Sequence, residues 1–324
     1  MNGLILFTVL LVLMLTGIPV SISLGLTVLT FIFGFTQVPL ESVALKLFTG
    51  IEKFEIMAIP FFILAGNFLT HGGVARRMIN FATSMVGHWH GGLGLAGVIA
   101  CALFAAVSGS SPATVVAIGS VILPAMVAQG FPKQFGAGVI TTSGALGILI
   151  PPSIVMVMYS VATSGMQAVG PDGQPVDSAS VGELFMAGVI PGLMLAGFLA
   201  FTTWNRARRF GYPRLPKASF RQRWDAFRKA MWGLFLIVIV IGGIYAGIFT
   251  PTEAAAMSAV YAFVIAVFVY KDMSLRDVPR VLLASANMSA MLLYIITNAV
   301  LFSFLMPSEG IPQALGEWMG NAGL

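Results

Sequence analysis

The feature that most limits what this chain can become is a succession of segments, each about 20 residues long, that carry almost no charge. Segments 231–249, 254–270 and 281–306 are of this kind. As helix, about 20 residues cross the ~30 Å hydrocarbon core of a bilayer. Inside that core the backbone must satisfy its own hydrogen bonds, so a single apolar segment crosses as helix. A soluble chain of 324 residues would show apolar stripes with a charged outer face, whereas blocks 4–14 and 234–241 are apolar on nearly all sides. With 58% hydrophobic and 9% charged residues, the sequence reads as an all-α polytopic membrane protein. The N-terminal MNGLILFTVLLVLML has no basic lead-in and no A-x-A site, so it reads as a retained first span and not a cleaved signal peptide. The lone Cys101 excludes an internal disulfide framework and reads as a small buried apolar residue.

The net charge of +5 is concentrated in one connector and does not point to nucleic acid. Between Arg206 and Lys229 stand nine Lys or Arg and one acid, Asp225; segment 167–183 carries Asp172, Asp177 and Glu183 and no base. The positive-inside rule puts the first connector in the cytoplasm and the second outside. Orientation propagates from these two. Segment 184–203 runs inward, 135–163 outward and 57–69 inward, and the first apolar block, 4–35, starts in the cytoplasm. Beyond the basic connector, 231–249 goes out, 254–270 returns, 271–280 is a cytoplasmic turn and 281–306 goes out again.

The uncharged run 93–129 is then flanked on both sides by cytoplasmic segments. As one helix it would be about 55 Å long, so it must fold back. Either two short spans meet at an external turn or a re-entrant hairpin stops at mid-membrane. The fold-back sequence, Ser108-Gly109-Ser110-Ser111-Pro112-Ala113-Thr114, is small, neutral and rich in hydroxyls, where a water-exposed turn usually carries charge or Asn-Gly chemistry. Irregular backbone at depth is tolerated where protein or a wet cavity satisfies it, which favours the hairpin.

A second interruption lies in the next span. Pro151-Pro152 removes two amide donors, so the carbonyls of Gly147 and Ile148 lose their helical partners and become available as ligands. Ser111-Pro112 suits the start of the hairpin's second arm, and a new half-helix can begin at Ser153. Two helix N-termini would then face one cavity, an arrangement suited to an anion. Broken helices meeting near mid-membrane are the pattern of secondary transporters. No Asp or Glu occurs between Glu55 and Asp172, so hydroxyl and carbonyl oxygens point to Na⁺ as the coupling ion and not to a proton relay.

Other readings of these residues are plainer. SGSSPAT also suits close helix packing. Thr250-Pro251-Thr252-Glu253 reads as a capped helix start. His71, His88 and His90, near Trp89, read as headgroup-level residues and not metal ligands. The chain lacks H-E-x-x-H and a G-x-x-x-x-G-K loop, and a hydrolase built on Ser110 would need a base that these spans do not offer; it does not read as an enzyme. A channel, another type of anion symporter or a structural membrane protein remains the alternative class.

PFFILAGNFLTHGGVARRMINF, 60–81, has an echo in TNAVLFSFLMPSEGIPQALGEW, 297–318, with Gly73 set against Gly310. The first copy runs inward and the second outward, as an inverted repeat demands. The division is then 1–203 as the first repeat, with hairpin 93–129 and broken helix 136–163, 204–229 as a basic cytoplasmic connector, and 230–324 as the start of the second repeat. A second hairpin would begin just beyond residue 324, so the chain is expected to be truncated before it.

The motifs AIPFFILAG (58–66), GGVARRMI (72–79), FAAVSGSSPATVVAIGS (104–120), GALGILIPPSIVMVMY (144–159), LFMAGVIPG (184–192) and GIFTPTEAAA (247–256) together resemble the large membrane subunit of tripartite ATP-independent periplasmic (TRAP) transporters, of the dicarboxylate-type DctM branch. The resemblance implies an elevator-type secondary transporter of the bacterial inner membrane. It implies Na⁺-coupled uptake of a small organic acid anion, a small four-helix membrane partner and a periplasmic binding protein that delivers the substrate, with no cofactor beyond the ion. It further implies a Na⁺ site from Ser108, Gly147, Ile150 and Pro152, with Ser110, Ser111, Thr114 and Ser153 near the substrate.

Overall fold

The protein, seen in a computed structural model, is described for residues 2–36, 39–164, 168–169, 175–176, 178–313 and 316–317. Of the acidic segment 167–183, Gln167, Asp172 and Asp177 lie outside the described residues, as does the end of the second repeat copy. Among the described residues the chain is helical apart from one antiparallel pair of two-residue strands, Ala168–Val169 with Pro175–Val176. Among the described residues six helices are long and apolar enough to cross a membrane, or up to seven if a bent pair counts as one span. The all-α polytopic membrane architecture therefore stands.

Two compact units divide the chain, 1–56 with 287–324 and 57–286. This grouping follows contacts in space, a different property from the sequence repeat, whose copies are related by order along the chain. In the first unit, block 4–35 is not one span: helix α1 (Asn2–Leu15) ends and α2 (Val20–Phe35) begins at Pro19, whose ring has no amide to continue a helix. α3 (Leu40–Thr49) follows. The core of this unit gathers Leu6, Val28, Phe31, Ile32, Val43, Leu301, Leu305 and Ile311.

In the second unit, α4 (Ala58–His71) packs along α13 (Pro251–Val264), with Phe68 and Phe263 rings 5.5 Å apart. α5 (Val74–Val86) is amphipathic and buries Val74, Ala75, Met78, Ile79 and Ala82, residues one turn apart on one face. It starts after Gly73 at φ +68°; Gly310, set against Gly73 in the sequence echo, has φ +64°. α6 (Gly92–Ser108) and α7 (Ser111–Ala128) form the fold-back pair. α8 (Lys133–Gly144) and the short α9 (Leu146–Leu149) form the first part of the broken span, and α10 (Ile154–Thr163), bent 43° away, forms the second.

The basic connector is shorter in space than in sequence. α11 (Val181–Arg209) and α12 (Phe220–Tyr245) extend into it and leave only 210–219 outside helix. The causes are local. Ser219 and Gln222 close a capping box at the start of α12, and Arg206, Arg208 and Arg209 complement the negative end of α11, whose start is capped by Ser180 and Glu183. Thr250 and Glu253 cap α13 in the same way. A π-helical turn, Ile265–Val269, ends that span, and α14 (Val278–Ser308) follows.

The exposed surface identifies the solvent. On α11, Ile190, Leu193, Met194, Phe198 and Phe201 are each 55% exposed or more. Against water, leaving five such side chains uncovered would cost on the order of 10 kcal/mol, as much as the whole stability of a typical domain. Lipid removes that cost.

Thr250→Ala, which deletes one capping box, is expected to lower stability by about 1 kcal/mol. Guanidine unfolding in detergent micelles checks this, with the wild-type chain as reference.

Candidate functional site

α6 ends at Ser108 because Gly109 takes φ +61°, a left-handed conformation that glycine adopts without steric cost. Its amide closes on the Ala105 carbonyl at 3.0 Å. Ser110 turns extended and caps α7, its Oγ accepting from the Ala113 amide at 3.4 Å, and Pro112 sits in the first turn, where a missing amide does no harm. The reversal therefore needs only Gly109 and Ser110 outside helix.

This reversal packs against the broken span. Ser108 and Thr114 are fully buried. The Gly109 carbonyl accepts a hydrogen bond from the Ile154 amide, the first of α10, at 3.1 Å. On the other side, a Cβ placed on Gly147 would lie 2.9 Å from the Ser111 amide nitrogen and one on Gly109 would lie 2.7 Å from the Pro152 carbonyl oxygen, so only hydrogen fits at either position. Ten residues, Ile154–Thr163, separate this contact from the end of α10, about 15 Å of helix.

The hydroxyl chemistry can be assigned bond by bond. Thr114 Oγ1 donates to the Ser110 carbonyl at 2.8 Å, which uses its one proton. Ser108 Oγ, 3.1 Å from Thr114 Oγ1, is then the donor in that pair and also accepts from the Ser110 amide at 3.4 Å. Each hydroxyl oxygen keeps one lone pair. The negative end of α6 adds partial charge of the same sign at Ser108. The donors at this junction are hydroxyl and carbonyl oxygens; among the described residues no three of His, Cys, Asp and Glu gather in a metal-binding group.

One expectation from the double proline is corrected. The Ile148 carbonyl is not stripped of partners: it accepts from Ser153 Oγ at 2.7 Å. Ser153 lies one residue past the two amide-less prolines, close enough for its side chain to replace the lost backbone donor. Gly147, by contrast, has Pro151 four residues on and receives no helical donor from it. Ile150 and Pro152 are buried in the break. Of the four residues anticipated near the substrate, Ser110 and Ser111 are half-buried, whereas Thr114 and Ser153 are fully buried and already hydrogen-bonded.

Two residues at this junction escaped the sequence reading. Ser143 is fully buried and its Oγ has no hydrogen-bond partner among the described residues; an unsatisfied buried hydroxyl costs about 1–3 kcal/mol. It stands one turn before Gly147, and the only hint in sequence is a hydroxyl so close to the Gly-Pro-Pro break. Gly66 on α4 is the other: a Cβ there would sit 3.2 Å from that of Ser108, so α4 forms the wall behind the hairpin tip.

Gly109→Ala places a side chain at positive φ, costing about 1–2 kcal/mol, and drives it into the Pro152 carbonyl. The expected outcome is faster deuterium exchange at the Ile154 amide, read by mass spectrometry of the peptide that contains it, with exchange in α12 unchanged.

Comparison of the sequence with known proteins identifies the family. A family model described as the DctM component of the tripartite ATP-independent periplasmic transporter matches residues 7–324. The C4-dicarboxylate TRAP transporter large permease protein of Rhodobacter capsulatus is 88% identical over all of this chain and 74% of its own length. That of Pseudomonas aeruginosa is 50% identical over 93% of this chain and 67% of its own length. The 2,3-diketo-L-gulonate TRAP transporter large permease protein of Escherichia coli is 33% identical over 93% of this chain and 68% of its own length. A transport permease with a hairpin set against a broken helix is a carrier component and not an enzyme, and this chain belongs to the DctM family of TRAP transporter large membrane subunits.

Proposed function

We propose that the chain acts as the large permease subunit of a Na⁺-coupled transporter that imports a small organic acid anion of the C4-dicarboxylate kind. The observation that carries this reading is the Gly109 carbonyl to Ile154 amide bond, which brings two interrupted helices together around buried hydroxyls. At that junction the C-terminal end of α6 offers partial negative charge to a cation, and the N-termini of α7 and α10 offer partial positive charge to a carboxylate. Ser108 Oγ with the backbone oxygens of Gly147, Ile150 and Pro152 would hold Na⁺. Ser110 and Ser111, the half-buried hydroxyls, would meet the anion, with Thr114 and Ser153 shaping the pocket from behind. The printed names of the relatives from Rhodobacter capsulatus and Pseudomonas aeruginosa support a C4-dicarboxylate as substrate.

The whole junction lies within the unit 57–286, which supports an elevator mechanism in which the site travels with one body. Membership of the family supports two partners, a small four-helix membrane subunit and a periplasmic binding protein that hands over the anion. The concentration of Arg and Lys in 206–229 supports a cytoplasmic placement of that face, and of the N-terminus, in a bacterial inner membrane.

Ser108→Ala, in the transporter assembled with both partners in proteoliposomes, removes one oxygen ligand. The sodium concentration for half-maximal uptake is expected to rise about tenfold, the equivalent of 1.4 kcal/mol, with the maximal rate recovered at high sodium. Unchanged sodium dependence would count against the site, and absence of sodium-dependent counterflow in the wild type would favour a channel.

A further inference from the structure

Away from the hairpin, a cavity of about 630 Å³ opens where α5, α12 and the π-turn after α13 meet, lined among others by Arg76, Asn80, Asp225, Arg228, Lys229 and Trp232. Arg77 and Tyr270 form part of its wall. The wall is built, not loose. Tyr270 Oη donates to the Lys229 carbonyl at 2.6 Å, and the Arg77 guanidinium lies 3.8 Å from the centre of the Tyr270 ring. Arg77 also donates to the Gly73 carbonyl at 3.0 Å and pairs with Asp272.

That pairing decides the charge balance. With Arg77 neutralised by Asp272, the remaining lining charges are Arg76, Arg228 and Lys229 against Asp225, and among the described residues none of these four has an ion-pair partner within 4 Å. The cavity therefore keeps a net positive charge. On α12 the polar half of the helix ends at Lys229 and the apolar half begins, so the cationic rim sits at the depth where a membrane changes from headgroups to chains. Just beyond the rim, Trp232, Phe235 and Val269 are 40–49% exposed, an apolar floor outside the charged ring. Trp232 is held in register by Tyr261, whose hydroxyl donates to the Trp232 carbonyl at 2.9 Å. Trp and Tyr at this level are characteristic of the membrane interface.

We propose that this cavity is a binding site for the headgroup of an anionic phospholipid, its phosphodiester held by Arg76, Arg228 and Lys229 and the start of its acyl chains lying on Trp232, Phe235 and Val269. A free phosphate would share the charge contacts but leave the apolar floor uncovered, and a zwitterionic lipid would bring its own cation next to three others. Basic pockets between membrane helices favour anionic headgroups by about 1 kcal/mol per basic side chain, about fivefold in affinity.

The test uses the purified chain in mixed micelles of phosphatidylglycerol and phosphatidylcholine, with retained lipid counted by native mass spectrometry. The wild type is expected to retain phosphatidylglycerol over phosphatidylcholine, and the double substitution Arg76→Gln with Arg228→Gln to reduce that preference by about 25-fold. Trp232→Ala, which leaves the charges in place, is expected to weaken retention of both lipids. Equal retention of the two lipids by the wild type would overturn the proposal, as would a preference that survives the double substitution. Displacement of the lipid by millimolar inorganic phosphate would identify a soluble-anion site and overturn it equally. If the double variant unfolds, the wild-type lipid preference and its competition with phosphate decide the question alone.

Discussion

Everything in this protein depends on one constraint: inside a membrane, a backbone carbonyl or amide that leaves a helix must find its partner within the protein. The chain interrupts its helices twice in close succession and satisfies the exposed groups partly across the two breaks and partly within one of them. The Gly109 carbonyl takes the first amide of α10, and the Ser153 hydroxyl takes the carbonyl that Pro152 cannot serve. Together the two breaks form an island of polar backbone that the surrounding helices enclose.

The same arrangement explains why the junction is made of glycine, serine, threonine and proline. Close approach requires that Gly109 and Gly147 carry no side chain, since a Cβ at either would lie within 3 Å of a facing backbone atom. Small hydroxyl residues then supply hydrogen bonds without filling the space that proximity creates. Close packing and polar chemistry, which look like competing explanations of SGSSPAT in sequence, are one structure: the tip packs tightly so that its oxygens can be buried and directed. Ser143, buried and without a hydrogen-bond partner among the described residues, leaves this region with hydrogen-bonding capacity that its described neighbours do not consume.

Charge is handled in the opposite way, by exclusion to the rim. Basic side chains gather at one end of the helices, where they close the negative end of α11, hold the corner around Gly73 through the Arg77–Asp272 pair, and line the cavity beside Trp232. The apolar surfaces between are left bare, α11 above all, which only a lipid or protein environment makes affordable. A neutral interior and a cationic edge thus belong to one electrostatic design, with dipoles and hydroxyls at depth and full charges at the surface.

Composition and spacing alone determined the membrane architecture, the breaks at 108–111 and 150–153 and the capped start of α13, because each follows from local rules about hydrocarbon thickness, missing amides and capping side chains; the family was legible only through the resemblance of its motifs. The residues implied for the ion also fell at one place. What only the tertiary structure decided is which polar groups remain available there. Ile148 was read as a free carbonyl and is taken by Ser153; Ser143 and Gly66 went unnoticed and line the same junction; block 4–35 proved to be two helices; and the basic connector shrank to ten residues as its flanking helices grew into it. The physical reason is common to all of them. A sequence shows which donors and acceptors a helix has lost, but the partner that replaces them is chosen by how segments far apart in the chain come together.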